Sequence, residues 1–294
     1  MSRLLRGRYF VLVLFLIIGL SVSVNLIFHT IWAPRAGEKV ASIEPLGWYA
    51  REDFVTIRRP DPIELALAGR SPNTASHQGV ARDKEYYYTF DTDAIYKFNL
   101  QWQKVKSAKD INRSLKLGTN HLGDGEEYDG KIYLPIEVYR KCSNFSNQNI
   151  VMFDSQTLKY VNHFDISKQK AEISSLTIDP HGGRNGIIYT TSFCDGSKIW
   201  AYDLLSGAFL GTIGLSQKIP HIQGIAVKDG FFYITEDVKD IVWLVGGDGQ
   251  VLRQLIHYPS RNLEGIDFTG DTLLLTSDQG QQKIISTWRP RIND

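Results

Sequence analysis

The sequence contains little of what marks several common protein classes. Its 294 residues include only two cysteines and two methionines, and no long basic tract is present. Because nucleic-acid binding requires clustered Lys and Arg, the sequence gives no indication of a nucleic-acid partner. A Gly-x-Ser-x-Gly nucleophile motif is missing, and helical periodicity is almost absent after residue 70. These absences disfavour a serine-centred hydrolase and a helical fold.

Aromatic and other apolar residues are well represented. The chain has 14 Tyr and 14 Phe, and 43% of its residues are hydrophobic against 22% charged. The Tyr and Phe residues fall in short runs, which is typical of strands, where flat rings pack on a pleated surface. The composition therefore predicts a folded, strand-rich domain.

The N-terminus contains one long apolar run. Residues 10–28 carry no charge, and nineteen residues at about 1.5 Å each approach the roughly 30 Å of a bilayer core. Arg3, Arg6 and Arg8 precede the run, so the positive-inside rule predicts a cytoplasmic stub (1–8) and a transmembrane anchor (9–28). A cleaved signal peptide is the alternative, although its apolar core is usually shorter. Either interpretation places the rest outside the cytoplasm, at a cell surface, in a periplasm or in a secretory lumen.

A linker is expected between the anchor and the folded domain. Residues 29–73 mix Pro, Gly and charges, and residues 58–73 include a short helix-capable stretch. Within this linker FVTIRR (54–59) is a candidate strand. Asn112-Arg113-Ser114 and Asn144-Phe145-Ser146 fit the N-glycosylation sequon, which would make the chain a glycoprotein in a eukaryotic host.

The remainder, residues 74–290, contains five similar segments of about 44 residues. Ile95, Ile150, Ile199, Ile241 and Ile284 mark corresponding positions, at spacings of 55, 49, 42 and 43 residues. Predicted second strands read YYYTFD (86–91), IYLPIE (132–137), IYTTSF (188–193), YITED (233–237) and LLTSD (274–278). Predicted third strands read AIYKFN (94–99), NIVMFD (149–154), KIWAYD (198–203), DIVWLV (240–245) and KIISTW (283–288).

Four strands per repeat predict an all-β, five-bladed β-propeller. A six-bladed ring is the alternative and needs a degenerate blade within residues 38–76. A β-sandwich also has short, evenly spaced strands, but it does not predict self-similar units. With five blades, residues 54–59 are expected to supply the last strand and close the ring, which removes an exposed sheet edge.

Propeller geometry brings distant polar residues together. In an up-and-down blade the first strand begins, and the second strand ends, at the same mouth of the central channel. The side chains so gathered include a predicted ligand-binding set: His77, Gln78, His121, Asp124, His221, Gln223 and Glu264. Second-strand ends add Asp91, Glu137, Asp195, Glu236, Asp237 and Asp278. Oxygen ligands favour Ca²⁺ and imidazoles favour Zn²⁺, so the mixture leaves both metals open.

Cys142 and Cys194 follow the second strands of adjacent repeats. In an oxidising compartment they can form a disulfide, with two free thiols as the alternative.

Three repeat starts, His-Gln-Gly-Val (77–80), His-Ile-Gln-Gly-Ile (221–225) and Asn-Leu-Glu-Gly-Ile (262–266), resemble calcium-dependent propellers. That superfamily includes gluconolactonases and strictosidine-synthase-like and paraoxonase-like proteins. Asn-Leu-Glu-Gly-Ile with the later Thr-Ser-Asp (276–278) also resembles SdiA-regulated propellers. The resemblance implies a metal site at Glu264, Asn120, Asn262 and Asp278. Plant-type glutaminyl cyclases are also five-bladed and tethered to a membrane, but their characteristic blade-start sequences are not recognisable here, so this family ranks below the calcium-dependent propellers.

Two functions are compatible with these patterns. The first is a membrane-anchored binding module that holds a small molecule or a protein at the channel mouth. The alternative is a metal-dependent hydrolase of the lactonase or esterase type, in which a bound cation polarises a carbonyl. In that hydrolase His121 or His77 is the expected proton shuttle.

Overall fold

The fold is built almost entirely from strands. A computed structural model describes residues 63–71, 74, 76–257, 262–270, 272–277 and 283–290. The described strands form five antiparallel sheets, four of four strands and one of five. In these ranges no helix has the length and apolar character needed to cross a bilayer. The predicted anchor, residues 9–28, lies outside the described residues.

The strands follow one another around the ring in chain order. The first described strand, β1 (Ile63–Arg70), belongs to sheet 5. Sheet 1 consists of β2 (Gly79–Arg82), β3 (Tyr86–Asp91), β4 (Ala94–Asn99) and β5 (Lys104–Lys109). The helix α1 (Ile111–Leu115) connects sheets 1 and 2. Sheet 2 consists of β6 (His121–Leu122), β7 (Glu126–Tyr128), β8 (Lys131–Lys141), β9 (Asn144–Asp154) and β10 (Tyr160–Asp165).

The remaining sheets repeat the four-strand pattern. Sheet 3 consists of β11 (Ser175–Asp179), β12 (Ile187–Thr191), β13 (Lys198–Asp203) and β14 (Phe209–Gly214), preceded by a 3₁₀ turn (Ser167–Gln169). Sheet 4 consists of β15 (Ile222–Lys228), β16 (Phe231–Glu236), β17 (Ile241–Gly246) and β18 (Val251–His257). Sheet 5 consists of β19 (Leu263–Thr269), β20 (Thr272–Ser277), β21 (Lys283–Pro290) and β1.

The innermost strands form a closed circle. β2 lies against β7, β7 against β11, β11 against β15, β15 against β19, and β19 against β2. Neighbouring sheets therefore stand side by side around one axis. This arrangement is a β-propeller and confirms the all-β propeller prediction.

Apolar clusters between neighbouring sheets form the core. Leu122, Leu134 and Phe90 are buried between sheets 1 and 2, and Ile199 and Ile225 are buried between sheets 3 and 4. Equivalent clusters fill the other three interfaces. Since burying one such side chain contributes roughly 1.5–3 kcal/mol, these clusters hold the sheets together.

Asp side chains close the turns after several third strands. Asp154 Oδ1 accepts the Thr157 N–H at 2.7 Å and the Thr157 hydroxyl at 2.5 Å. These donors hold the Asp154 pKa below its usual value. Asp203 accepts the Ser206 N–H and hydroxyl in the same way. The repeated turn chemistry explains why the hairpins recur along the chain.

The ring is joined by a strand that the sequence analysis assigned to the linker. β1 pairs antiparallel with β21 along its whole length, from Ile63 opposite Pro290 to Arg70 opposite Ile284. The helix-capable interpretation of residues 58–73 is therefore wrong for 63–70. Its Ala, Leu and Glu residues favour a helix locally, and long-range pairing with β21 overrides that preference. The other candidate for this strand, residues 54–59, lies outside the described residues.

Candidate functional site

At the axis the strands approach so closely that only glycine fits. A Cβ on Gly265 would lie 2.5 Å from the Gly79 Cα and 2.5 Å from Asp124 Oδ1. Asp124 is 1% exposed, and its carboxylate accepts the Val80 N–H at 3.2 Å and the Ile266 N–H at 2.9 Å. One side chain of sheet 2 thereby joins the inner strands of sheets 1 and 5.

Two more carboxylates lie further along the inner strands, where Asp267 is buried and Glu126 is half-buried. Glu126 accepts the Thr177 hydroxyl at 2.7 Å and the Ile178 N–H at 2.8 Å. Burial raises the pKa of Glu126 to about 7. Asp267 accepts the Arg82 N–H at 3.0 Å, and burial together with the nearby Glu126 charge raises its pKa. Like Asp124, these residues connect neighbouring sheets, and the sequence analysis did not single out either of them.

A His–carboxylate pair recurs at the mouth, the end of the ring where first strands begin and second strands end. His77 Nδ1 lies 3.7 Å from Asp91 Oδ1 in sheet 1. His221 Nδ1 lies 3.6 Å from Asp237 Oδ1 in sheet 4. Both pairs are partly exposed, although Asp237 Oδ1 itself is buried.

Sheet 2 places a half-buried histidine and a buried glutamate at the equivalent position. His121 and Glu137 are directly opposite each other in the register of β6 and β8. Burial lowers the pKa of His121 to about 4, although the Asp91 charge acts in the other direction. The imidazole is therefore neutral at pH 7, and its ring centre lies 5.5 Å from that of Tyr139.

Glu137 is the least satisfied ionisable group at the mouth. It is 0% exposed, and neither carboxylate oxygen makes a hydrogen bond of good geometry with the described residues. Burial and the nearby Glu172 charge raise its pKa to about 9, while the Ile173 N–H favours the ionised form. Glu137 is consequently protonated at neutral pH, which avoids the cost of an isolated buried charge.

Glu172 lies beside Glu137 and was not identified from the sequence. Its Oε2 accepts the Ser192 hydroxyl at 2.8 Å and the Cys194 N–H at 3.3 Å. Burial raises the pKa of Glu172 to about 7. Glu172 precedes its repeat's first strand in a segment without strand pattern, so no sequence signal distinguished it.

Cys194 is also part of a disulfide. Cys142 in the β8–β9 hairpin is bonded to Cys194 after β12, with the two Cα atoms 5.3 Å apart. The bond joins sheets 2 and 3 on the mouth side. It also fixes the backbone N–H that Glu172 accepts.

Sheet 4 contributes a second group of acidic residues. Glu236 is fully buried, and its Oε2 accepts the Trp243 indole N–H at 2.9 Å. Lys239 Nζ lies 4.0 Å from the other oxygen. Burial raises the pKa of Asp237, while His221 opposes this shift. Asp240 accepts the Leu263 N–H at 3.0 Å and so links sheet 4 to sheet 5.

Contacts between neighbouring sheets connect these groups into one continuous rim. His121 of sheet 2 interacts with Asp91 of sheet 1. Phe193 of sheet 3 stacks on His221 of sheet 4, with ring centres 4.6 Å apart and planes 10° apart. With the Glu137–Glu172 and Asp240–Leu263 links, the polar rim passes through all five sheets.

The other predicted residues occupy different environments. Gln223 is half-buried beside Asp237, and Gln78 donates its backbone N–H to Phe90 at the start of β2. Glu264 is 4% exposed at the inner end of β19. Asp124, predicted as a mouth ligand, instead lies at the axis with both oxygens bonded to backbone N–H groups.

The structure describes three of the four residues of the predicted metal set, Glu264, Asn120 and Asn262. The Asn120 side chain accepts the Tyr139 N–H at 2.8 Å and donates to the Tyr139 carbonyl at 3.1 Å, so its amide is already engaged. Asn262 is half-buried with φ 61°, and Asp278 lies outside the described residues. Across the described ranges no three His, Cys, Asp or Glu side chains are grouped to hold a metal ion.

A shallow cleft of about 550 Å³ lies on the same face between sheets 1 and 2. Asp93, Arg113, Lys116 and Asn112 contribute to its lining. The Asn112 side-chain N–H₂ donates hydrogen bonds to the Thr92 carbonyl and to Asp93. The same nitrogen atom would carry a glycan, so these two bonds compete with glycosylation. The other sequon residue, Asn144, is exposed.

Comparisons with known proteins support the fold. No family model matches the chain, and no curated protein matches it. Glutaminyl cyclase from Myxococcus xanthus matches with a TM-score of 0.59 and 12% identity, over 78% of this chain and 98% of its own. A PQQ-bound aldose sugar dehydrogenase from Streptomyces coelicolor matches with a TM-score of 0.50 and 8% identity, over 79% of this chain and 100% of its own. Both are β-propellers, and at such identities the likeness extends to the fold and not to the gluconolactonase-like family.

Proposed function

We propose that this protein is a membrane-anchored binding module whose propeller lies outside the cytoplasm and holds a ligand at the mouth. The anchor is the apolar run at residues 9–28. The Cys142–Cys194 disulfide supports the location, because disulfides persist mainly in oxidising compartments. The polar rim supports the binding site, since it gathers side chains from four sheets and the Leu263 N–H of the fifth.

The observation that carries this proposal is the unsatisfied state of Glu137. Buried polar groups in folded proteins nearly always have hydrogen-bond partners, and exceptions are concentrated at functional sites. Both Glu137 oxygens lack a partner within the described part of the chain, as does His121 Nδ1. A ligand that donates hydrogen bonds to these atoms would offset the cost of burying them.

A ligand screen on the full chain in detergent tests the proposal. Binding of small molecules at the mouth is expected to raise the melting temperature and to perturb NMR signals of Tyr139 and Phe193. Glu137→Gln should weaken that binding, whereas Asp229→Asn, in an exposed turn, should not. If a broad screen of cations, anions and neutral compounds perturbs neither residue, the proposal fails.

Metal binding is a separate part of the proposal. Ca²⁺, or Zn²⁺ as the alternative, would be held by Glu264, Asn262 and Asp278, and a metal-dependent lactonase or esterase would then use His121 or His77 to move protons. Elemental analysis of the purified chain and the effect of chelators on melting test this idea. Stoichiometric metal supports the hydrolase, and its absence together with an unchanged melting temperature contradicts it.

The Glu137–Glu172 pair favours a second enzymatic candidate. Two buried carboxyl groups with pKa values of about 9 and 7 can donate and accept a proton near neutral pH. The match to a glutaminyl cyclase makes cyclisation of N-terminal glutamine the reaction to assay. Pyroglutamate formation that Glu172→Gln abolishes and Asp229→Asn preserves would support this activity. If the wild-type chain shows no detectable turnover, glutaminyl cyclisation is excluded for the peptides tested.

A further inference from the structure

We infer that the ligand of the mouth is an organic cation, one that carries an ammonium or guanidinium group on an apolar body. This inference rests on the proposed binding function and specifies its ligand class. It follows from the position and accessibility of the acidic and aromatic groups along the rim.

The accessible polar atoms of the rim are mainly carboxylates. The Asp91 side chain is 26% exposed and the Asp237 side chain 16% exposed, although Asp237 Oδ1 itself is buried. Lys198 lies 4.0 Å from Asp195, and Lys239 lies 4.0 Å from Glu236. Among the described residues the ionic neighbours of Asp91 and Asp237 are His77 and His221, and neither carboxylate is paired with a lysine or an arginine. A cationic ligand would supply that charge.

Buried acceptors reinforce this preference. Glu137 is 0% exposed, and its oxygens have no hydrogen-bond partner within the described residues. It lies opposite His121 at the mouth end of β6 and β8. An ammonium group has three donors and no acceptor, and a cation bound beside Glu137 would favour the ionised carboxylate, which only accepts hydrogen bonds.

Aromatic rings supply the second requirement of an organic cation. Phe193 stacks on His221, and Tyr139 lies against His121. Each ring is half-buried beside a carboxylate of the rim. Aromatic faces attract cations through the ring quadrupole and also contact an apolar body. A bare metal ion or a small anion would use neither ring.

Three compounds of one shape separate the possibilities. Benzylamine is a cation, benzyl alcohol is neutral and benzoate is an anion. Calorimetric titration of the full chain at pH 7 is expected to give at least tenfold tighter binding of benzylamine than of benzyl alcohol, since charge-assisted hydrogen bonds exceed neutral ones by about that factor.

Two variants locate the binding site. Asp237→Asn should weaken the binding of benzylamine about tenfold, and Phe193→Leu should weaken that binding roughly two- to fivefold. The matched control Asp229→Asn changes the same net charge in a remote turn and should leave binding unaltered. Melting curves of each variant check that the propeller remains folded.

The possible outcomes distinguish this inference from the function on which it rests. Tighter binding of benzoate or benzyl alcohol at the mouth overturns the cation class and leaves the binding function intact. Absence of benzylamine binding at millimolar concentration, or binding that Asp237→Asn leaves unchanged, also overturns the cation class. The binding function itself fails only if the broad ligand screen perturbs neither Tyr139 nor Phe193.

Discussion

Replacing Asp124 by alanine should destabilise the propeller more than any change of an exposed carboxylate. Its two oxygens accept the Val80 and Ile266 N–H groups, which belong to different sheets. Leaving one buried donor unpaired costs about 1–3 kcal/mol, so two donors give about 2–6 kcal/mol. Since removing the carboxylate also removes its own desolvation cost, we expect a net loss of about 3 kcal/mol.

Urea unfolding at pH 7, followed by tryptophan fluorescence, measures this loss. For a domain of this size about 3 kcal/mol corresponds to a melting temperature roughly 6–12 °C lower. Asp124→Asn keeps one acceptor oxygen and should lose less stability than Asp124→Ala. Asp229→Asn is the matched control, because asparagine tolerates the left-handed backbone at φ 52°.

The three variants should differ in stability in a definite order. Asp124→Ala should be the least stable variant, followed by Asp124→Asn, with Asp229→Asn near the wild type. If the free energy of unfolding of Asp124→Ala lies within about 1 kcal/mol of that of the wild type, the Asp124 carboxylate does not stabilise the junction of sheets 1 and 5.

Three further predictions concern pH, the disulfide and the axis. Burial raises the folded-state pKa of Glu126 from 4.5 to about 7, so its contribution to stability is complete below pH 4.5 and is lost as pH rises through 7. Glu126→Gln should flatten this decline by up to about 1.4 kcal/mol per pH unit in unfolding titrations, and an unchanged slope contradicts the assignment. Removing the Cys142–Cys194 bond, which spans 52 residues, should cost about 2–4 kcal/mol. A reductant should lower the melting temperature of the wild type but not that of the double Cys→Ala variant. Gly265→Ala places a Cβ against Gly79 and should cost more than about 2 kcal/mol by calorimetry, whereas normal melting would show that the inner strands can separate.

Local patterns predicted the middle strands of the repeats well. The predicted YYYTFD and AIYKFN segments coincide with β3 and β4, because their bounds are set by turn residues on either side. The inner strand of sheet 2 is divided into His121–Leu122 and Glu126–Tyr128, which no periodicity indicated. β1 was missed because its pairing partner lies more than two hundred residues away.

The site was only partly accessible to the same reasoning. His77, His121 and His221 lie at repeat starts, so the repeat alone predicted their common face. Glu172 lies outside the repeat pattern, and its importance depends on packing against Glu137. The role of Asp124 was misassigned because a polar residue near a strand start can turn toward the axis as well as toward the mouth. The direction of the Asp124 side chain depends on backbone N–H groups of sheets 1 and 5, and the sequence of a single repeat does not reveal them.

Gly79, Gly265 and Asp124 meet where the first and last sheets of the ring come together. With no room for a Cβ between these strands, their backbones are in direct contact. The two ends of the folded chain are therefore locked to each other, and a larger side chain at either glycine would force them apart. We expect natural variation to be tolerated at the exposed residues of the mouth and to be costly at this junction.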